Sequence, residues 1–376
     1  MTSWQEFDRQ AMRRALELAE RGACTTHPNP RVGCVIAAQQ TLVGEGWHAS
    51  AGEPHAEVFA LREAGSRARG ATVYVTLEPC AHHGKTPPCT DALIGAGVAR
   101  VVYATGDPDS RVDGRGAEQL RSAGIRVDSG LFVADAEELN AGFFSRVRRG
   151  RPWVRIKMAA SLDGRTALAN GESQWITGEK ARADVHLWRA RSAAVLTGIG
   201  TVLADDPALT ARAPQAVRQP LRIVLDSRFR TPVTARLLRE PGAVRVLGVD
   251  PDGAALLTKT WNAMARDASR PGALQAQLVA ADGRGRVDLA ALLQHLGAER
   301  INELHVEAGA VLAGAFVAAG LADELLLYVA PTLLGPDARP LLALPALACL
   351  AERPRFEIHE TLRIGADLRI RLRPAK

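Results

Sequence analysis

His55-Ala56-Glu57, followed by Pro79-Cys80 and then Cys89, sets one imidazole, one carboxylate and two thiols within a short stretch of chain. A neutral imidazole and two thiolates make a mixed nitrogen–sulfur donor set that Zn2+ accepts. Three protein ligands leave the fourth tetrahedral position open, as a catalytic zinc site requires. Zinc lowers the pKa of a water held there from about 15.7 towards 7, giving a hydroxide nucleophile at neutral pH. Glu57 is two residues from His55, close enough to reach that water without ligating the metal. A carboxylate so placed takes the proton and hands it to a leaving group. His82 and His83 are rival ligands by residue type; as loop histidines they also read simply as exposed or substrate-facing groups.

The elements around these residues put them at chain ends that share a pocket. The apolar run Val73–Leu77 predicts a strand that delivers Cys80, and Cys89 opens a helix near Thr90 and Asp91, where the helix N-terminus favours a thiolate. His55 opens a helix running through Ala64, with Glu57 in its first turn. Ahead of it, Ser3-Trp4-Gln5-Glu6 reads as a capping box with Ser3 at the N-cap, followed by Phe7, Ala11, Ala15 and Leu18 at helical spacing up to Gly22. Strands follow over 32–37 and 41–47. Beyond the cysteines the order is helix 91–97, strand 100–104, helix 116–123, strand 125–129 and one helix over 133–149. Such alternation implies a sheet covered by helices on both faces.

Gly150-Arg151-Pro152 marks a domain boundary, giving domains of residues 1–150 and 151–376 in a chain of 376 residues. The second half restarts the alternation. Strands are expected over 153–158, 193–197, 221–225, 244–249, 303–306 and 325–329, helices over 178–191, 289–296 and 310–319, and closing strands over 356–358 and 366–372. Residues 211–219 and 252–285 read as irregular insertions.

Composition narrows the class. Apolar residues are 47% and charged residues 23%, ordinary for a globular protein, with no run near the ~18 apolar residues of a membrane span. The N-terminal residues lack a signal-peptide pattern. Five cysteines fit metal ligands and buried thiols in a reducing, cytoplasmic setting rather than a disulfide framework; Cys24, Cys34 and Cys349 read as core thiols, Cys34 being a displaced ligand by type whose neighbours Val32, Val35 and Ile36 favour burial. The net charge of +6, rich in arginine, suits nucleic acid or an anionic small substrate; aromatics at 5% do not interleave with the basic residues, which disfavours nucleic acid. No Gly-x-Gly-x-x-Gly follows a strand in the second half, so a Rossmann site is disfavoured. The anion site expected instead is Glu307-Ala-Gly-Ala-Val-Leu-Ala-Gly314, a strand end, a glycine and a helix start.

His-x-Glu followed by Pro-Cys and Cys is also the pattern of zinc nucleobase deaminases, although eight residues, Ala81–Pro88, separate these two cysteines instead of two. Together with the segment 79–89, it closely resembles the first half of the bifunctional riboflavin-biosynthesis deaminase–reductase family. Lys157–Arg165, Gly171–Thr177, Thr201–Pro207 and Val306–Gly309 are similar to that family's second half. The resemblance implies an α/β chain: a cytidine-deaminase-like αβα sandwich, then a dihydrofolate-reductase-like α/β domain. It implies hydrolysis of the 2-amino group of a phosphoribosylamino diaminopyrimidinone, then NADPH-dependent reduction of the ribosyl arm to ribityl.

By the same matching, His55, Cys80 and Cys89 bind Zn2+ and Glu57 is catalytic. Asn29 meets the pyrimidine edge, unless it is only a turn residue between two prolines; Lys85 and Thr86 contact phosphate. Ala159, Trp175, Thr201, Asp205 and Gly309, Ala310, Val311, Leu312, Ala313, Gly314 and Ala315 line the NADPH site. Ser173, Arg189, Leu209, Arg212 and Glu307 line the substrate site, the arginines as forks for phosphate. Asp205 and Lys157 compete as proton donor. The implied partners are a phosphorylated pyrimidine and further copies of the chain, a homo-oligomer, with no nucleic acid and no membrane.

Overall fold

Residues 4–81, 87–110, 112–264 and 272–375 are described by the computed structural model. They form two compact units, Met1–Gly150 and Arg151–Lys376. In the first, the elements are α1 (Glu6–Glu20), β1 (Gly33–Ala38), β2 (Thr41–Trp47), α2 (Ala56–Ala64), β3 (Thr72–Leu77), α3 (Cys89–Ala96), β4 (Arg100–Thr105), α4 (Arg115–Ser122), β5 (Arg126–Ser129), α5 (Val133–Leu139) and α6 (Ala141–Arg149). The strands pair in the order β2-β1-β3-β4-β5. Pairing is antiparallel at β1–β2 and β1–β3 and parallel from β3 through β5.

The two-residue period of these strands explains the layers. Cys34, Ile36, Val73, Val75 and Val101 face Ala56, Ala60, Leu93 and Leu120 of α2, α3 and α4. The intervening Val35, Tyr74, Val102 and Ala104 face Ala11, Met12 and Ala136 of α1 and α5. A sheet buried on both faces reads as near-continuous apolar runs, and these strands do. The helix expected over 133–149 is broken at Asn140 (φ −112°, ψ 21°). Its buried amide brackets the backbone of Arg31, accepting from the N–H at 2.8 Å and donating to the carbonyl at 2.9 Å. A side chain so occupied competes with helical continuation. The cap of α1 also differs: Gln5, not Ser3, is the N-cap, and Asp8 accepts from its N–H at 2.9 Å. Ser3 lies outside the described residues.

The second unit contains β6 (Trp153–Ser161), β7 (Arg165–Ala167), α7 (Glu179–Arg191), β8 (Ala194–Gly198), α8 (Ile199–Asp205), β9 (Leu221–Leu225), β10 (Gly242–Gly248), α9 (Pro251–Met264), β11 (Gly272–Leu278), α10 (Leu289–Ala298), β12 (Glu303–Val306), α11 (Ala310–Ala318), β13 (Glu324–Ala330), β14 (Arg339–Pro340), β15 (Phe356–Ile364) and β16 (Asp367–Pro374). Its main sheet runs β11-β10-β9-β8-β12-β6-β13-β16-β15, parallel from β11 to β13, with β16 and β15 antiparallel at the end. Helices α10 and α11 pack Leu292, Leu296, Phe316 and Val317 on one face. The other face meets α9 through Leu257 and Trp261 and α7 through Val185 and Trp188.

Within residues 252–285, expected to be irregular, α9 and β11 are regular elements, residues 279–285 are irregular as expected, and residues 265–271 lie outside the described residues. Leu257 and Trp261 recur at helical spacing on the buried side of α9, and β11 extends the sheet in parallel with β10. The strands at 153–158 and 356–358 are longer than expected, ending at Ser161 and Ile364. Cys34 is buried as expected; Cys24 is only half-buried and Cys349 is exposed.

Candidate functional site

The N-terminus of α2 is where the first cluster begins. His55 is the N-cap of α2, and Glu57 lies buried in the first turn. Close packing fixes this helix on β2: a Cβ at Gly46 would stand 2.3 Å from the Ala56 carbonyl oxygen, and one at Gly44 would stand 2.2 Å from that of Ala60. Cys80 follows β3, and Cys89 is the first residue of α3. The loop start is tied to that helix, since the Cys80 carbonyl accepts from the Thr90 N–H at 3.3 Å and from its hydroxyl at 3.2 Å.

His55 Nδ1 lies 3.1 Å from Cys89 Sγ and 3.6 Å from Cys80 Sγ. All three ligand atoms fall within 4.8 Å of one another. Zn–N and Zn–S bonds at tetrahedral angles separate N from S by about 3.6 Å, so the set fits zinc with a slight contraction. The Cys80 thiol is held low by its hydrogen bond with Cys89, while the same bond pushes the Cys89 thiol far up. Two adjacent thiolates need a cation between them, and the donor set is suited to one. Glu57 Oε2 is buried with no hydrogen-bond partner, and burial raises the proton affinity of its carboxyl.

Asn29 stands beside this cluster through His48. Its Nδ2 is 3.1 Å from His48 Nε2, and His48 Nδ1 is 3.1 Å from the Pro54 carbonyl. A carbonyl only accepts, so His48 carries its proton on Nδ1 and Asn29 donates to Nε2. The His48 ring meets the His55 ring edge-on at 5.6 Å. Burial lowers the pKa of His48, consistent with the neutral form. Sequence reasoning missed His48 because no local motif surrounds it. Lys85 and Thr86, with the rival ligands His82 and His83, lie outside the described residues.

In the second unit a cleft of about 1390 Å³ opens along the carboxyl ends of the parallel strands, lined among others by Lys157, Ala159, Ser173, Arg189, Thr201, Asp205, Leu209, Glu307, Gly309 to Leu312 and Ala315. That edge is where open α/β sheets bind ligands. Gly309 is the N-cap of α11, and its N–H donates to Thr201 Oγ1 at 3.3 Å, tying α8 to α11. Helix first-turn N–H groups lack helical partners and favour phosphate. Three expected cofactor residues fall elsewhere. Ala313 is buried in the core, Gly314 backs onto Ala343, and Trp175 is 69% exposed beneath the Arg182 guanidinium.

Glu307 is the polar centre of the cleft. Arg189 grips it with Nε–Oε1 2.5 Å and Nη2–Oε2 2.8 Å and uses Nη1 on the Thr210 carbonyl at 3.0 Å. The fork expected to hold substrate phosphate is thus occupied by a carboxylate. Arg212 is exposed, donates to Thr210 Oγ1 at 3.0 Å, and does not line the cleft. Lys157 Nζ is 4.0 Å from Glu307 Oε2, and burial lowers the lysine's proton affinity. Arg228, Arg230, Arg284 and Arg286 also line the cleft. They come from two loops distant in sequence, so no spacing signal reveals them.

Comparison with known proteins gives the family. Residues 152–370 match the RibD C-terminal domain, and residues 5–105 match the cytidine and deoxycytidylate deaminase zinc-binding region. The chain is 51% identical to the riboflavin biosynthesis protein RibD of Escherichia coli strain K12, covering 97% of this chain and 99% of that one. The chain belongs to the RibD family. A RibD structure from Acinetobacter baumannii superposes with TM-score 0.88 at 45% identity, covering 99% of each chain. A deaminase/reductase structure from Thermotoga maritima gives TM-score 0.83 at 32% identity, with 98% and 99% coverage. Like its relatives, the chain carries a zinc-binding deaminase domain ahead of an NADPH-using RibD reductase domain, two steps of riboflavin biosynthesis. Among the described residues no helix is long and apolar enough to cross a membrane.

Proposed function

We propose that residues 1–150 deaminate 2,5-diamino-6-(5-phosphoribosylamino)pyrimidin-4(3H)-one and that residues 151–376 reduce the ribosyl arm of the product to ribityl. The observation that carries the first half is the convergence of His55, Cys80 and Cys89 within 4.8 Å beside the unpartnered Glu57 Oε2. These three residues hold the zinc, which when bound acidifies a coordinated water. Glu57 takes a proton from the attacking water and delivers it to the departing amine, a role suited to a buried carboxyl whose proton affinity is raised. Asn29, with its Nδ2 committed to His48, offers Oδ1 to an N–H on the pyrimidine edge.

In the second unit a bound NADPH would supply the hydride. The α11 N-terminus at Gly309 holds its diphosphate, and the arginines after β9 and in the 281–287 loop favour the extra phosphate over NADH. Glu307, fixed by Arg189, accepts from sugar hydroxyls. Lys157, rather than Asp205, donates the proton, since it lies beside Glu307 and burial eases its deprotonation. We also place the chain in the cytoplasm as a homo-oligomer. Exposed Ile358 and Leu368, on one face of the terminal strands β15 and β16, are a surface suited to a second copy. Incubation with the diaminopyrimidine substrate, followed by NADPH titration of an Arg228→Ala, Arg230→Ala variant, tests the pair of sites. The account expects weaker NADPH binding with NADH binding unchanged; equal loss of both contradicts the cofactor orientation.

A further inference from the structure

His305 lies in the middle of β12 with 0% exposure, between Arg155 of β6 and Val195 of β8 in the register. Strand alternation puts its side chain on the same face as Glu303 and Glu307. Its Nε2 is 3.3 Å from Glu307 Oε1, close but not aligned as a full hydrogen bond, and Nδ1 has no partner. A buried, poorly satisfied imidazole costs stability that an apolar residue of similar size would not. Polar contacts at such sites are often long without substrate and tighten when it binds.

We propose that His305 is a positioning residue for the reductase step, a strut behind Glu307 that aims the carboxylate into the cleft. This rests on the reading of Glu307 as a substrate contact. Oε1 accepts from Arg189 Nε and stands 3.3 Å from His305 Nε2, while Oε2, which accepts from Arg189 Nη2, is the oxygen 4.0 Å from Lys157 Nζ. Burial and the nearby guanidiniums of Arg155 and Arg189 keep the imidazole neutral. A neutral ring has one N–H, and Glu307 is the acceptor recorded within reach.

The test uses the full-length zinc-loaded chain and measures both steps separately. His305→Leu should lower reductase kcat/KM for the pyrimidine substrate by about tenfold. The NADPH dissociation constant and the deaminase rate should stay at wild-type values. His305→Gln, which keeps a donor, should recover most of the loss. In a Glu307→Gln background, His305→Leu should add little, because the two act as a unit. Wild-type kinetics in His305→Leu, a Gln variant as impaired as the Leu variant, or additive losses would each overturn the role. Should His305→Leu misfold, as a lowered NADPH affinity would reveal, the Gln variant and the cycle built on it decide the matter. If Glu307→Gln alone leaves the reductase step intact, the substrate-site reading fails, and the strut fails with it.

Discussion

Glu57 is held in the first turn of α2 with one carboxylate oxygen buried and unpartnered. Replacing it with Gln keeps the shape and removes the proton carrier. Glu57→Gln should retain zinc and lose about a hundred- to ten-thousand-fold in deamination rate, with the reductase step unaffected; full deaminase activity in a zinc-loaded variant would remove the proton-transfer role. The clustering of His55, Cys80 and Cys89 was legible in the sequence because a metal site demands particular residue types at chain ends that secondary structure already places. The Arg189–Glu307 pair was not, since its members lie 118 residues apart and meet only through the parallel pairing of the sheet. A free guanidinium and an occupied one look the same in sequence. His48 was hidden because no local motif surrounds it.

At the level of elements, α2 reaches its position because β2 offers glycines where the helix backbone touches. Gly46→Ala should cost about 1–3 kcal/mol of stability in the first unit and weaken zinc binding, read by thermal unfolding and by metal retention; an unchanged variant would mean that α2 can shift without moving His55. In the second unit Glu324 sits at 0% exposure between Arg155 at 2.6 Å and Arg371 at 2.6 Å. Burial alone would raise its pKa, and the guanidiniums override burial to hold it far below 4.5. A carboxyl depressed in the folded state contributes stability above its unfolded pKa and loses it as pH falls through the folded value. Acidification should therefore weaken the second unit progressively below pH 4.5. Glu324→Gln should destabilise it by about 1–3 kcal/mol at neutral pH, since Arg155 keeps Glu303 at 2.9 Å and Arg371 keeps Glu360 at 3.6 Å. Urea unfolding at several pH values checks both, and a pH-independent gap between wild type and variant would contradict the ion-pair account. Strand and helix periods marked most elements; Asn140 and the elements α9 and β11 were misread because a side-chain bracket and an added edge strand are tertiary facts.

Across the whole chain, two compact units carry two chemistries with separate requirements. Chelation should abolish deamination while leaving NADPH oxidation on the already deaminated substrate intact; loss of both together would mean that the metal also supports the second unit. The order of halves and the pairing of motifs were readable from sequence, because each half keeps its own alternation of strands and helices on either side of Gly150. The cleft's loop arginines were not readable, since two loops far apart in sequence supply them. The most direct test of the account is mass-resolved product analysis with the diaminopyrimidine phosphoribosyl substrate, run with and without NADPH. The account predicts exchange of one amino group for oxygen without NADPH, and a further gain of a hydrogen pair only when NADPH is present. Unchanged substrate with zinc bound, or reduction appearing without prior deamination, would contradict it.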